Sequence, residues 1–224
     1  MSTLALRGIV KRFGPTTILE GLTVEIPLTG ITFIVGASGS GKSVLCRLGV
    51  GLLKPDEGEV SLFGERVDTM PERKLQQLRA RAPYLVQGPA LLDWLTLFDN
   101  VALANPKSRD DGRAEAAMSR LGLMPFALRK PPEVGPGIRK RAAIARALVL
   151  QPEVLLLDEP TTGLDREAAG QVNDALAVVR EQGLGVALVS HDYEALRKLA
   201  DRVVQVKDRK VGFCGPAKDF LSER

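Results

Sequence analysis

One octapeptide, Gly-Ala-Ser-Gly-Ser-Gly-Lys-Ser at residues 36–43, constrains the fold of this 224-residue chain more than any other feature. Gly36 and Gly41 have four residues between them, and Lys-Ser follows at once, which is the pattern of a phosphate-binding loop. Glycine allows backbone conformations that turn successive N–H groups inward, and the helix that follows adds its positive end. The loop therefore predicts a strand before it, a helix after it and a phosphate chain bound between them.

The side chains of the loop indicate which phosphate compound it binds. Lys42 supplies a positive charge for the β- and γ-phosphates, and Ser43 supplies a hydroxyl for Mg²⁺. A purely structural glycine turn is a poor alternative, because the loop follows a β-branched run and opens a helical one. We predict a Mg²⁺–ATP site whose contacts are Gly36, Ala37, Ser38, Gly39, Ser40, Gly41, Lys42, Ser43 and Val44.

Two acids end a second apolar run, Val-Leu-Leu-Leu-Asp-Glu at residues 154–159. Ligands of open α/β sheets bind at the carboxyl ends of the strands. We therefore expect Asp158 to hold Mg²⁺ and Glu159 to polarise the attacking water. The single histidine, His191, follows a third apolar run. A lone histidine is usually structural, but this position favours a contact with the γ-phosphate.

Alternating and continuous apolar runs predict the remaining elements. Strands are expected at residues 4–10, 18–26, 31–35, 60–63, 153–157, 185–190 and 202–206. Helices are expected at residues 43–53, 71–81, 166–182 and 193–199, and residues 89–150 are mainly helical. Strand–helix alternation predicts a three-layer α/β fold with a mostly parallel sheet, into which the helical segment is inserted.

Composition excludes several classes of protein. No run approaches the roughly 18 apolar residues that cross a bilayer, and no signal peptide is expected at the N-terminus. Two cysteines, Cys46 and Cys214, predict buried reduced thiols rather than a disulfide or zinc site. Residues 106–147 hold ten Lys/Arg and four acids. Because aromatic residues are scarce there, a solvated or phosphate-serving face is favoured over a nucleic-acid surface.

Together these residues resemble the nucleotide-binding subunits of ABC transporters along nearly the whole chain. The resemblance implies a P-loop NTPase core with an N-terminal antiparallel β subdomain, within a single domain of residues 1–224. The core would comprise residues 1–87 and 151–224, and the helical subdomain residues 88–150. The activity implied is ATP hydrolysis coupled to transport.

The resemblance also implies roles for further residues. Phe13 matches the aromatic residue that stacks on adenine, and Gln87 matches a glutamine that senses Mg²⁺ and the attacking water. Residues 161–165 match a segment that ends in Asp165 and contacts the second subunit of a dimer, and His191 matches the switch histidine. The catalytic set is then Glu159, His191, Gln87 and Lys42, and the metal set is Ser43, Gln87 and Asp158.

One element departs from the family pattern. The signature Leu-Ser-Gly-Gly-Gln reads Val-Gly-Pro-Gly-Ile at residues 134–138. Gly135 lacks the serine hydroxyl that would contact the partner subunit's γ-phosphate, and Pro136 has no N–H. The N–H of Gly137 and the helix dipole remain. We therefore expect the chain to bind ATP in its own loop but to complete its partner's site weakly.

Residues 36–58 together with residues 87–103 are most similar to the lipid-trafficking Mla-type ATPases, which pair with permeases and MCE proteins. This resemblance implies a phospholipid-type substrate, a second ATPase subunit, a membrane permease and a peripheral position on the cytoplasmic face of the membrane. Residues 93–101 would form the groove for the permease, with plain core packing of Trp94, Leu95 and Leu97 as the alternative. No nucleic-acid partner is expected. A nucleotide-gated regulatory cassette with little turnover is the competing function.

Overall fold

The computed structural model describes residues 3–222, which form ten strands and eight α-helices. The strands are β1 (Thr3–Phe13), β2 (Thr16–Pro27), β3 (Ile31–Val35), β4 (Glu57–Leu62), β5 (Glu65–Arg66), β6 (Tyr84–Leu85), β7 (Val154–Asp158), β8 (Gly185–Val189), β9 (Arg202–Lys207) and β10 (Lys210–Pro216). The helices are α1 (Lys42–Gly49), α2 (Glu72–Arg81), α3 (Leu97–Ala102), α4 (Arg113–Arg120), α5 (Pro136–Leu148), α6 (Arg166–Glu181), α7 (Tyr193–Leu199) and α8 (Ala217–Ser222). Short 3₁₀ turns lie at Pro106–Arg109, Met124–Phe126 and Pro131–Glu133.

The strands form two sheets. An antiparallel sheet near the N-terminus has the order β2-β1-β4-β5. A six-stranded sheet has the order β10-β9-β3-β8-β7-β6, in which the five strands from β9 to β6 are parallel and β10 is antiparallel. The predicted fold class, with a mostly parallel sheet and an antiparallel N-terminal sheet, is therefore confirmed.

The central strands are buried on both faces, which explains their uninterrupted apolar runs. In β3, Phe33 and Val35 pack into one hydrophobic core, whereas Ile34 packs into the other. The first core joins the large sheet to α3 through α8, and the second joins it to the antiparallel sheet, α1 and α2. The sheet thus separates the helical segment from the N-terminal strands.

The helix predicted at residues 43–53 ends earlier than expected. Helix α1 stops at Gly49, and Gly51 adopts a left-handed conformation with φ of +66°. A Cβ at Gly51 would lie 2.6 Å from Leu75 Cδ2 and 2.9 Å from Val67 Cγ1. The Leu52 amide donates to the Arg47 carbonyl at 2.9 Å and the Gly51 amide to the Leu48 carbonyl at 3.0 Å, so a glycine C-cap ends the helix before Lys54-Pro55.

The last strand and helix, β10 and α8, were not predicted, because Gly212, Gly215 and Pro216 make this stretch resemble a turn. β10 is the edge strand of the large sheet, and its side chains alternate in exposure. Cys214 lies on its exposed side, so the prediction of a buried thiol is wrong for Cys214 and correct for Cys46. Both thiols are free.

The segment predicted to be mainly helical contains α3, α4 and α5 together with the three 3₁₀ turns, as expected. Within residues 3–222, no helix has the length and apolar character needed to cross a membrane. The apolar residues of this segment face the first core, where Leu97, Val101 and Met118 are fully buried.

The parallel strands bring the predicted site residues to one edge of the sheet. The glycine-rich loop follows β3, the Asp158-Glu159 pair ends β7, and His191 comes two residues after β8. Gln87 follows β6, which is parallel to β7. Since β3, β8, β7 and β6 are consecutive neighbours, their carboxyl ends place all four segments together.

A buried asparagine shapes the segment between β6 and α3. Asn100 is fully buried in α3, and its Oδ1 accepts a hydrogen bond from the Leu92 amide at 2.7 Å. Its Nδ2 donates to the carbonyls of Leu92, at 3.0 Å, and Thr96, at 3.0 Å. This side chain therefore holds the loop that leads away from Gln87.

We expect Asn100→Ala to lower the free energy of unfolding by about 1–3 kcal/mol, because the buried groups of Leu92 and Thr96 lose their partner. The matched control is Leu128→Ala, since Leu128 is 85% exposed and should change stability by less than about 0.5 kcal/mol. Urea unfolding measures both. Equal effects of the two substitutions would contradict a structural role for Asn100.

Candidate functional site

The glycine-rich loop has the backbone that an anion nest requires. Gly36, Gly39 and Gly41 have φ values of +151°, +74° and +101°. Residues with a Cβ adopt such backbone conformations only with strain. A Cβ on Gly36 would lie 2.3 Å from the Val206 carbonyl oxygen, and one on Gly41 would lie 2.7 Å from Leu19 Cδ2. Both glycines are therefore required by packing as well as by conformation.

Lys42 is the first residue of α1, and its side chain folds back into the loop. The residue is only 5% exposed, and its Nζ donates to the carbonyls of Gly36 at 3.0 Å and Ala37 at 2.8 Å. Burial lowers the pKa of Lys42 below its ordinary value, while the charges of Glu159 and Asp158 oppose that effect. The Lys42 ammonium thus lies beside the first two residues of the loop, close enough to Glu159 and Asp158 for their charges to act on it.

Ser43 and Asp158 are joined across the sheet. Ser43 Oγ donates to Asp158 Oδ1 at 2.8 Å, and Tyr84 Oη donates to Asp158 Oδ2 at 2.6 Å. Arg47 Nε in turn lies 3.4 Å from Tyr84 Oη. Burial, followed by the hydrogen bond to Asp158, raises the pKa of Tyr84, so its hydroxyl remains a donor. The Asp158 carboxylate is therefore fixed on both oxygens.

This donor set fits Mg²⁺ held together with phosphate oxygens. Mg²⁺ prefers oxygen ligands and is usually bound by one or two carboxylates plus substrate phosphates. Asp158 and Ser43 supply such oxygens, and Ser40 Oγ is buried without a hydrogen-bond partner among residues 3–222. The same residues contain no group of three or more His, Cys, Asp or Glu that would hold a metal alone.

Glu159 is held by three side chains. His191 Nε2 lies 3.0 Å from Glu159 Oε1, and Thr162 Oγ1 donates to Oε2 at 3.0 Å. Gln87 Nε2 lies 3.5 Å from the same Oε2, at the limit of a hydrogen bond. The structure therefore brings Glu159, His191 and Gln87 into one cluster, beside the Asp158 carboxylate.

The backbone of Glu159 is strained in a way that serves the cluster. Its φ is +48°, an uncommon value for a residue with a side chain. The Glu159 amide donates to the Val189 carbonyl at 2.9 Å, which anchors the turn to the end of β8. This conformation directs the carboxylate of Glu159 away from the path of β7 and towards His191.

Four predicted site residues lie outside this cluster. Phe13 is 48% exposed at the end of β1 and has Lys11 Nζ 5.4 Å from its ring centre. Gly135 caps the start of α5 without a side-chain hydrogen bond, and Gly137 packs against α6. Asp165 caps α6, where its Oδ1 accepts from the Ala168 amide at 2.8 Å. Among residues 3–222, no hydrogen bond or ion pair joins these four residues to the glycine-rich loop.

Sequence reasoning did not identify Tyr84 or Lys140. Tyr84 lies in a two-residue strand, and Lys140 lies on α5, where its Nζ donates to the Gln87 carbonyl. No spacing or motif signals these two residues, because each reaches the site through a tertiary contact. Thr162 belongs to the predicted segment 161–165 and bonds to Glu159 only three residues away. Five of the ten basic residues at 106–147 are likewise bonded inside the chain, which supports a structural use of that charge: Arg109, Arg113, Lys140, Arg141 and Arg146.

A groove of about 370 Å³ lies next to the site, between β6 and α5. Its lining includes Val86, Ala90, Leu103, Arg146 and Leu150. Of residues 93–101, which were predicted to form a groove for a permease, none lines this groove, but Asp93 lines a neighbouring cavity of about 260 Å³ with Pro136 and Lys140.

The alternative of core packing holds for part of residues 93–101. Leu97 is fully buried, but Trp94 is 69% exposed, so it does not belong to the core. The apolar groove is instead lined by residues on either side of this stretch.

The chain resembles known proteins along most of its length. The family model of the ABC transporter matches residues 19–162. The chain is 37% identical to the glutamate transport ATP-binding protein GluA of Corynebacterium glutamicum, over 98% of each chain. It is 35% identical to the nickel import ATP-binding protein NikO of Rhodobacter capsulatus, over 97% of this chain and 90% of that protein. It is 36% identical to the methionine import ATP-binding protein MetN of Mesorhizobium japonicum, of which it spans 60%.

Two solved structures resemble the fold closely. The structure of cbiO1 from Clostridium perfringens, part of the ABC transporter complex cbiONQ, has a TM-score of 0.89 and 27% identity over 98% of this chain and 90% of that one. The dimeric post-hydrolysis state of the ATP-binding cassette MJ0796, bound to ADP and Pi, has a TM-score of 0.83 and 27% identity over 96% of this chain and 98% of that one.

Proposed function

The chain belongs to the ABC transporter family of ATP-binding proteins, and we propose that its ATPase reaction is performed by the residues gathered at the carboxyl edge of β3, β7 and β8. The observation that carries this proposal is the adjacency of two differently held carboxylates. Asp158 is bonded to Ser43 of the loop, and the next residue, Glu159, is held by His191. One acid is thus placed for Mg²⁺ and the other for the attacking water.

Binding is assigned to the loop. Its backbone N–H groups and the Lys42 ammonium receive the phosphate chain of ATP, and Ser43 and Asp158 hold Mg²⁺, with Gln87 as a further ligand. Mg²⁺ bound by these residues would supply positive charge to the phosphate oxygens. The aromatic ring of Phe13 is proposed to stack on adenine, which agrees with its exposure at the end of β1.

Catalysis is assigned to Glu159. Its carboxylate accepts the proton of the attacking water as a general base, a role that contributes typically 10²–10⁴-fold. His191 and Gln87 orient this carboxylate from opposite oxygens. Lys42 balances negative charge at the glycine-rich loop, where the charge of Glu159 also acts on its ammonium group.

The site of one chain is proposed to be completed by a second ATPase subunit, in a homodimer or a heterodimer. Gly135, Gly137 and Asp165 stand at the starts of α5 and α6 and take no part in their own chain's cluster, which agrees with a role towards a partner. The dimeric form of MJ0796 bound to ADP and Pi supports the same arrangement.

The start of α5 explains why the partner's site is proposed to be weak. Gly135 is the N-cap and offers no side-chain oxygen, while Pro136 takes the first helical position, where its missing N–H is tolerated. The helix is therefore well formed, but it presents fewer donors to a phosphate. A lost hydrogen bond to a charged group costs roughly 1.5–3 kcal/mol.

A membrane permease is proposed to dock in the groove between β6 and α5. Val86 and Leu103 are exposed apolar residues in its lining, and the groove adjoins Gln87. Association of cbiO1 with the complex cbiONQ supports such a partner. The chain would then sit at the cytoplasmic face of the membrane through its permease.

The transported substrate is proposed from the relatives. The resemblance to Mla-type ATPases predicts a phospholipid, but the relatives named above import methionine and nickel or transport glutamate. These comparisons give the lipid hypothesis no support and favour a small polar solute. A regulatory cassette with little turnover is the second candidate, and the missing signature serine favours it.

We expect Glu159→Gln to lower ATP turnover roughly 100-fold or more, because the amide cannot accept the water proton. ATP binding should stay within about twofold, since the loop and Asp158 are unchanged. Phosphate release and nucleotide binding are measured on the same preparation. Turnover that does not depend on Glu159, or that is absent from the unaltered chain in its complex, would favour the regulatory cassette.

We expect Leu103→Asp to reduce co-purification of a membrane protein at least about tenfold, because a charge buried against an apolar surface is costly. Leu128→Asp is the matched control, because this leucine is also exposed but does not line the groove. Quantitative mass spectrometry of detergent extracts measures the partner. Loss of the partner with both variants, or with neither, would contradict docking in this groove.

We expect Gly135→Ser combined with Pro136→Gly to raise the ATPase rate of the assembled complex about tenfold, because a recovered hydrogen bond to phosphate is worth roughly 1.5 kcal/mol or more. The added serine fits, since a Cβ at Gly135 meets nothing within 4 Å. Stability should not rise in parallel, because Pro136 already suits the first helical position. An unchanged rate would show that residues 134–138 do not limit the ATPase rate of the complex.

A further inference from the structure

Two basic side chains of α5 donate hydrogen bonds to the backbone of the segment that follows β6, residues 87–90. Lys140 Nζ donates to the Gln87 carbonyl. Arg146 donates to the Pro89 carbonyl at 3.2 Å and to the Ala90 carbonyl at 2.7 Å. Three carbonyls within four consecutive residues are thus bonded to one helix, although the segment itself has no regular structure.

The segment at residues 87–90 contains a strained backbone conformation. Ala90 has a φ of +46°, in the left-handed region that residues with side chains seldom adopt. Such a conformation persists only where its surroundings hold it. The bonds from α5 supply that restraint, so the path of the backbone from Gln87 to Ala90 depends on helix α5 rather than on local preference.

Lys140 acts at the end of the segment nearest the chemistry. The residue whose carbonyl it binds is the one whose side-chain amide lies 3.5 Å from Glu159 Oε2. Lys140 is partly buried, and it lines a small cavity with Leu157 and Asp158. Burial lowers the pKa of Lys140, and the charge of Glu159 opposes the shift, so this ammonium lies within the electrostatic reach of the carboxylate.

We propose that Lys140 is a positioning residue for ATP hydrolysis, which holds the Gln87 backbone so that the Gln87 amide stays in reach of Glu159. The inference rests on the proposed roles of Gln87 and Glu159. Because α5 begins at the signature segment, the same bond ties that segment to the reacting group. A displacement of α5 by a partner subunit would then move Gln87 with it.

The alternative is a direct effect of the Lys140 charge on Glu159. The two explanations differ in what happens when Gln87 is removed. If Lys140 acts by positioning Gln87, replacing Lys140 does not lower kcat further in a protein that already carries Gln87→Ala. If the charge of Lys140 acts on Glu159 directly, replacing Lys140 lowers kcat by the same factor with or without Gln87.

The variants are Lys140→Met, which keeps the length and removes donor and charge, and Lys140→Arg, which keeps both. The control is Lys218→Met, which removes an exposed charge on α8, remote from the site. We expect Lys140→Met to lower kcat about tenfold with KM within twofold, as for a misplaced catalytic group. Lys140→Arg should restore most of kcat, and Lys218→Met should match the unaltered protein.

The decisive kinetic measurement is the cycle of Lys140→Met with Gln87→Ala in the complete transporter complex. Positioning predicts that the double variant is no slower than Gln87→Ala alone. Additive losses would overturn the proposal and assign the effect to charge on Glu159. Failure of Lys140→Arg to recover activity would also overturn it.

A second measurement uses the nucleotide-free protein and does not depend on turnover. Backbone ¹⁵N order parameters at Gly88 and Ala90 should fall in Lys140→Met and stay unchanged in Lys140→Arg and Lys218→Met, because they report mobility without needing a hydrogen-bonded amide. Unchanged order parameters in Lys140→Met would overturn the proposal. If turnover proves independent of Glu159, the proposed function fails, whereas the order parameters still decide whether Lys140 holds the segment.

Discussion

The hydrogen bond from Ser43 to Asp158 is the contact on which the site depends. It spans from the loop after β3 to the end of β7, with β8 between those strands in the sheet. Tyr84 fixes the other carboxylate oxygen from β6, so three strands converge on one acid. With Asp158 held in place, the next residue has to turn, and Glu159 does so with a strained backbone. Preorganised groups of this kind need no rearrangement when charge develops during the reaction.

Helix α5 connects this centre with the outside of the molecule. Its first turn presents Gly135 and Pro136, which offer little to an anion, and its second turn places Lys140 on the Gln87 backbone. The third turn places Arg146 on the Ala90 backbone, beside the apolar groove. One rigid element therefore touches the signature segment, the carboxylate cluster and the proposed permease groove. Coupling between these regions requires only that α5 moves as a unit.

Local patterns predicted most of the fold because the site elements are locally consistent. The apolar runs at β3, β7 and β8 are continuous because both faces are buried, and this burial follows from their central places in the sheet. The end of α1 is local: Gly51 is left-handed, and the Leu52 amide donates to the Arg47 carbonyl, so a glycine C-cap stops the helix before the predicted proline signal. Other predictions failed where a distant contact decided the outcome. β10 forms despite its glycines because β9 offers an edge to pair with, and Cys214 is exposed for the same reason.

The sequence alone determined the phosphate loop, the acids at the end of β7 and the order of the central strands and their helices, because spacing and hydrophobic period encode these directly. Only the tertiary structure decided how Glu159 is held, since His191 and Gln87 come from two distant segments and only Thr162 is local to it. It also decided that Tyr84 and Lys140 belong to the site. Their roles arise from contacts between residues more than 50 positions apart in the chain, at Tyr84–Asp158 and Lys140–Gln87, and a local pattern carries no information about such distances.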